Sequence, residues 1–225
     1  RAEALAARLT SDAFSKYNLD RSTLPNDLPT GRRILVPGQV EDDASIRLGA
    51  GDINTNRALL SAVRAANPDA VIFYKPHPDV EAGLRIGQVP DAKDIADVVL
   101  SGIDAVTAIE AVDEVWTMTS TLGFEALLRG KRVVTFGQPF YASWGLTQDR
   151  GMPVAHRIAR PDLGTFVHCC LIDYPRYFDP VTGRPCPVEV ALDRIKDDTV
   201  TTSNAGLRAL SKLQGLLASY AHLWR

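Results

Sequence analysis

Short apolar runs recur along the first two thirds of the chain, separated by stretches whose apolar positions return every three or four residues. The runs are "RILVP" at 33–37, "AVIFYK" at 70–75, "EVWTM" at 114–118 and "RVVTF" at 132–136. Each has strand length and is rich in β-branched or aromatic side chains. Between the first two, "NTNRALLSAVRAANPD" sets Leu59, Leu60, Val63 and Ala66 on one helical face. Asn54 or Asn56 is expected to cap that helix, and Asn67-Pro68 to end it. "DVVLSG" reads as a further strand and "DAVTAIEAV" as a short helix. Strands alternating with helices predict an α/β fold: a Rossmann-like parallel sheet flanked by helices and joined by right-handed crossovers.

The flanks have a different rhythm. From Arg1 to about Tyr17 the alanine and leucine spacing predicts an amphipathic helix, and "NLDRSTLPNDLPTG" then breaks it, so residues 1–30 read as a helix and connector. A chain that opens this way is expected to be a piece of something longer. The sheet domain is expected over 31–150, and 151–225 as a helical segment packing on it. Its helices would be "LGTFVHCCLIDY", "VEVALDRIKDD" and "SNAGLRALSKLQGLLASYAHLWR".

Composition narrows the function without choosing it. At 225 residues and 45% hydrophobic, the chain has enough apolar material for a full core. A net charge of −2 gives no overall attraction to nucleic acid or anionic lipid, so any anion must be captured locally. The three cysteines match neither a disulfide framework nor zinc-site spacing, which favours a reducing compartment. No signal peptide is read at the N-terminus, and no apolar stretch reaches the roughly 18 to 20 residues of a spanning helix. A cytoplasmic location is expected.

Three polar stretches fall at strand ends, where open α/β sheets bind ligands. "VPGQVEDDAS" follows the first strand, "KPHPDV" the second and "TSTLGFEALLRG" the strand ending near Met118. In the last, Thr119, Ser120 and Thr121 precede a helix containing Gly123 and Glu125, an arrangement that suits a phosphate or, equally, an ordinary capping box. Glu125 can also accept hydrogen bonds from ribose hydroxyls. His77, held between Pro76 and Pro78, can donate to the same phosphate with Lys75 supplying charge, or can merely bond a loop carbonyl. Glu41, Asp42 and Asp43 form a solvated acidic run by default. A metal cluster is not expected from them, but one inward-pointing carboxylate would serve as nucleophile or base.

Read in order, "LVPGQVEDDASI", "NPDAVIFYKPHPDV", "DEVWTMTSTLGFEALLRGKRVVTFGQPFYASWGLT" and "YPRYFDPVTGRPC" resemble the capsular polysaccharide β-Kdo glycosyltransferases of the KpsC type. The resemblance implies the GT-B architecture of two Rossmann-like halves, of which this chain would be the donor half, with 31–150 as its nucleotide-sugar-binding domain. It implies a CMP-Kdo donor, no cofactor, retention of configuration and a Kdo-lipid acceptor held mainly by the other half. The expected place is the inner face of the cytoplasmic membrane, with peripheral association made through other parts of the protein.

By motif, His77 and Pro78 match the family's phosphate-holding His-Pro element, and Ser120 and Thr121 its hydroxyl pair. Asp43 is matched to the catalytic aspartate, with Glu41 and Asp42 close enough to leave the register open. Gln39 is expected to orient the sugar. Tyr141 and Trp144 are expected on the sugar or cleft wall, or simply in the core. Two other readings stand beside the transferase: a non-catalytic nucleotide-binding scaffold of a capsule assembly complex, and a GT-B-type nucleotide-sugar epimerase.

Overall fold

The computed structural model describes residues 1–16 and 21–197. The expected helix over 203–225 lies outside the described residues. The chain divides after Phe166 into two compact units.

In the first unit, α1 (Ala2–Ser11) is followed by β1 (Arg33–Pro37), α2 (Ala44–Gly49), α3 (Asn56–Ala66) and β2 (Val71–Lys75). Then come α4 (Pro78–Glu81), α5 (Ala92–Ile95), β3 (Val98–Val99), α6 (Ala105–Glu110) and β4 (Glu114–Thr117). The unit continues through α7 (Leu122–Leu128), β5 (Arg132–Thr135) and β6 (Gln148–Asp149) into α8 (Leu163–His168). All four apolar runs are strands, and "DVVLSG" and "DAVTAIEAV" supply β3 and α6 as expected.

Six parallel strands form one sheet in the order β3-β2-β1-β4-β5-β6. From β1 the chain steps outward to β3, then returns to lay β4 on the other side of β1. The strand order therefore reverses between β1 and β4, which is where open α/β sheets leave a crevice at their carboxyl ends. The uninterrupted apolar strands follow from this architecture: β2 and β4 are buried at every position, as parallel strands covered on both faces must be. Ile34, Val36, Ile72, Trp116 and Val134 from four strands pack with Leu59, Leu60 and Val63 of α3 in one core.

Several boundaries differ from expectation. α1 stops at Ser11 because Ala13 adopts φ 55°, outside the helical region. The cap of α3 is Thr55, whose hydroxyl accepts from Ala58 N, and neither asparagine fills that role. Asn56 is instead turned inward. It is 1% exposed, and its amide accepts from Gln39 N at 2.8 Å and donates to Gln39 O and Gly87 O at 2.7 and 2.8 Å. Pro76 and Pro78 do not simply stiffen a loop, since Pro78 opens α4, a position that needs no backbone donor.

In the second unit, a π-helical turn (Cys169–Asp173) is followed by β7 (Tyr177–Asp179), β8 (Arg184–Cys186) and α9 (Val188–Lys196). β7 and β8 form an antiparallel hairpin where only helices were expected. The turn signal was present in "DPVTG", with Gly183 at φ 65°. Asp179 is buried and accepts from Val181 N, Thr182 Oγ1 and both Nε and Nη2 of Arg194, tying hairpin to α9.

Asn56→Ala is expected to destabilise the first unit by about 3 kcal/mol, because it leaves buried backbone groups of Gln39 and Gly87 unpaired. Urea unfolding measures this, and a loss below about 1 kcal/mol would show that water replaces the amide.

Candidate functional site

The site is assembled at the carboxyl ends of β1, β2 and β4. Gly38 N donates to Lys75 O at 2.7 Å, joining the chain leaving β1 to the end of β2. The approach is close because position 38 has no side chain. A Cβ there would lie 2.9 Å from the Tyr74 hydroxyl and 3.2 Å from His77 N.

One residue later, Gln39 reaches across the switch point. Its Oε1 accepts from Thr119 N at 2.9 Å and Thr117 Oγ1 at 3.2 Å, and its Nε2 donates to Thr119 Oγ1 at 2.9 Å. The side chain is 7% exposed, so its place in this fold is a bracket between β1 and the β4 turn.

The acidic run divides by partner. Glu41 accepts from Asn56 N at 2.7 Å, and Asp42 pairs with Arg85 at 2.7 Å. Asp43 begins α2 with extended backbone, and its exposed carboxylate makes no cap hydrogen bond. Its negative charge is felt at His77. The motif match favoured Asp43 with the register open to Glu41 and Asp42; tertiary contacts commit those two to holding the loop.

His77 precedes α4, and its Nδ1 accepts from Asp79 N at 3.2 Å. In the neutral ring the proton is then on Nε2, which makes that nitrogen a donor. Burial lowers the His77 pKa, with Asp79 opposing and Lys16 and Lys75 adding to the shift, so the neutral form prevails near neutrality. Protonating Nδ1 would cost this ring its backbone partner.

Lys75 is 7% exposed and lines the same cleft as His77, Pro78, Ser120 and Thr121. Among the described residues no carboxylate stands within ion-pair distance of its ammonium. Burial lowers its pKa, and the more distant Glu81 and Asp104 only partly oppose this.

Opposite stands the turn into α7. Ser120 Oγ accepts from Leu122 N at 3.2 Å, while Thr121 is exposed and its hydroxyl makes no cap bond. Glu125 also lines the cleft. Its Oε1 accepts from Lys16 N at 3.1 Å, its Oε2 is buried without a partner, and burial raises its pKa. Lys75, His77 and Glu125 are thus all biased toward their neutral forms by one enclosed environment.

Tyr141 and Trp144 do not belong to this cleft, contrary to the cleft-wall expectation. Tyr141 is fully buried, with its hydroxyl donating to Ser120 O and occupying space that a side chain at Gly123 would need. It supports the Ser120 turn from beneath. Trp144 donates to Phe140 O at 2.8 Å and packs near Phe166.

Ser15, Lys16, Gly38 and Ala105 line the cleft and were not anticipated. Ser15 and Lys16 come from the connector, whose sequence has no ligand-like pattern. Phe14 O accepts from Arg129, and Ser22 exchanges hydrogen bonds with Asp104, so long-range contacts alone bring this segment over the site.

A family model described as "Capsule polysaccharide biosynthesis protein" matches residues 2–177. The chain belongs to this family. Among capsule family relatives, "Capsule polysaccharide modification protein LipA" of Neisseria meningitidis serogroup B is 44% identical over 225 residues, covering 96% of this chain and 32% of LipA. "Lipopolysaccharide-processing protein LpsZ" of Rhizobium meliloti is 40% identical over 197 residues, covering 85% of this chain and 44% of LpsZ.

Two solved structures share the fold of this capsule family chain. The "beta Kdo 2,4 transferase" of Thermosulfurimonas dismutans KpsC superposes with a TM-score of 0.77 at 32% identity, covering 87% of this chain and 61% of that one. The "beta Kdo 2,7 transferase" of the same KpsC gives 0.73 at 33% identity, covering 88% and 62%. The chain therefore spans about a third of LipA and under two thirds of either solved transferase.

Gly38→Ala is expected to cost about 1–3 kcal/mol and to shift the His77 ring resonances, because the added methyl presses on Tyr74 and the His77 backbone. Adding Tyr74→Phe removes the nearest clash and recovers part of the loss. Unchanged stability and spectra in Gly38→Ala would show that the two loops tolerate separation.

Proposed function

We propose that this chain is the donor-binding half of a glycosyltransferase that moves Kdo from CMP-Kdo to a Kdo-lipid acceptor with retention, in capsule biosynthesis. The observation that carries the reading is Lys75: a buried cation with no carboxylate partner among the described residues, in a cleft also lined by a histidine biased to donate from Nε2. A buried charge of this kind is costly until a counter-charge arrives. A sugar nucleotide's phosphate supplies one, and Ser120 and Thr121 add hydroxyls opposite.

Departure of CMP places negative charge on that phosphate and positive character on the sugar ring. Contacts from Lys75, His77, Ser120 and Thr121 strengthen as the charge develops, and preorganised donors need little rearrangement. Glu125, with one oxygen still unpartnered, is assigned to the ribose hydroxyls. Retention follows from two displacements. In the first, an Asp43 carboxylate oxygen bonds to the anomeric carbon as the bond to the CMP phosphate oxygen breaks and CMP leaves with the electron pair. In the second, the acceptor hydroxyl oxygen displaces Asp43 and its proton passes to solvent. Similarity to the two Kdo transferases of KpsC supports the sugar, and the acceptor half is assigned to protein beyond this chain.

CMP binding by calorimetry tests the cleft. Lys75→Met is expected to weaken binding at least about tenfold, the scale of a charge-assisted hydrogen bond. The pH dependence has a defined sign: phosphate favours charged Lys75, so binding takes up protons and weakens as pH rises through the lysine's lowered pKa. Equal affinity for Lys75→Met and wild type would remove the lysine from the site.

The covalent step has its own test in the longer protein that contains this chain. Intact mass after incubation with CMP-Kdo is expected to show a Kdo adduct that Asp43→Ala abolishes and Asp42→Ala does not. An adduct undiminished in Asp43→Ala assigns the nucleophile elsewhere. Acceptor-independent release of an epimerised sugar would favour the epimerase reading.

A further inference from the structure

A buried tyrosine hydroxyl ordinarily finds a hydrogen-bond partner within the protein, because leaving it unpaired and out of water costs free energy. Tyr141 follows this rule by donating to Ser120 O. Tyr74 does not. It is 2% exposed, its ring packs in the core with Leu59, Leu60 and Val63 of α3, and among the described residues its hydroxyl makes no hydrogen bond. The small part of Tyr74 that reaches solvent includes this oxygen.

Its position is specific. Successive residues of β2 point to opposite faces of the sheet, so Lys75 lines the cleft while Tyr74 approaches the rim only with its tip. That tip comes up beneath Gly38, where a Cβ would stand 2.9 Å from the hydroxyl and 3.2 Å from His77 N. Gly38 and His77 both line the cleft, and Gly38 begins the loop that carries Gln39, Glu41 and Asp43. Two carboxylates act on the phenol through their charge, Glu41 and Glu81, and each already accepts from a backbone amide, of Asn56 and Gly102 respectively. Burial, with those two charges adding to it, raises the Tyr74 pKa, so the phenol stays protonated and able to donate.

We infer that the Tyr74 hydroxyl donates to a hydroxyl oxygen of the sugar on the donor, and so reads the sugar and not the nucleotide. The inference rests on the donor-binding reading above. With the phosphate against Lys75 and His77 and with Asp43 at the anomeric carbon, the first atoms of the sugar lie between these groups, and the loop from Gly38 to Asp43 spans that interval. The acceptor is a neutral oxygen, because Glu41 and Glu81 make the place unfavourable for the carboxylate of a sugar acid. A sugar hydroxyl supplies the partner that the fold withholds, in surroundings where a hydrogen bond is electrostatically stronger than in water. A site that pairs a substrate hydroxyl in this way also rejects an analogue lacking it.

Tyr74→Phe removes one oxygen and keeps the ring. No hydrogen bond within the protein is lost, so the urea midpoint is expected to stay unchanged or to rise. Binding is measured by calorimetry with CMP and with CMP-Kdo in the longer protein that contains this chain, carrying Asp43→Ala in every arm so that the donor is not consumed. The dissociation constant for CMP-Kdo is expected to rise about fivefold in Tyr74→Phe, the scale of one neutral hydrogen bond, while that for CMP stays the same. Unchanged CMP-Kdo binding overturns the inference. So does an equal loss for both ligands, which assigns the hydroxyl to the shape of the Gly38–His77 junction, and so does a lowered urea midpoint, which gives it a structural partner such as water. Failure of the parent protein to bind CMP removes the donor-cleft reading and this inference with it, an outcome distinct from a loss confined to the sugar nucleotide.

Discussion

The bond network of Gln39 holds the site together. β1 and β4 pair by backbone only at Ile34–Glu114 and Leu35–Val115, after which the two chains part at the switch point. The Gln39 amide spans that opening, bonding Thr117 and Thr119, while Asn56 grips the Gln39 backbone from the other side. Glu41 continues the chain of contacts by binding the start of α3. A buried primary amide suits this place because it donates and accepts without a charge to desolvate. With Gln39 and Glu41 fixed, the next residues leave on a defined path, and Asp43 emerges at the rim.

Enclosure sets the electrostatics. Lys75 and His77 are pushed down in pKa and Glu125 up, each chiefly by loss of water. These shifts all penalise charge in the unliganded cleft. An anion reverses the balance for Lys75, because attraction to a counter-charge grows as the effective dielectric falls. Hydrogen-bond geometry contributes separately. The Asp79 amide fixes the His77 proton on the nitrogen that can point outward, and the buried Tyr141 supports the Ser120 carbonyl from below.

Membership in the capsule polysaccharide biosynthesis family agrees with a site that is furnished for one ligand and open on its rim. The chain spans about a third of LipA, and its carboxyl-end loops carry the polar groups of the cleft. A Rossmann-like sheet concentrates such groups there because all its strands run the same way.

Local sequence determined the strands, most of the helices and the identity of the His77 and Ser120 stretches, because apolar period and strand-end punctuation are written into neighbouring residues. It also placed Lys75 and Glu125 near those stretches. It favoured Asp43 only by motif match and left the register open to Glu41 and Asp42, since three adjacent carboxylates look alike until Asn56 and Arg85 claim two of them. Nor did it distinguish Gln39 as a bracket, Tyr141 as a buried support or Lys16 as part of the cleft. Those assignments depend on partners 80, 21 and 109 residues away. Only the tertiary structure decided them, because a side chain's role follows from what surrounds it in space, and periodicity reports no more than the face on which it lies.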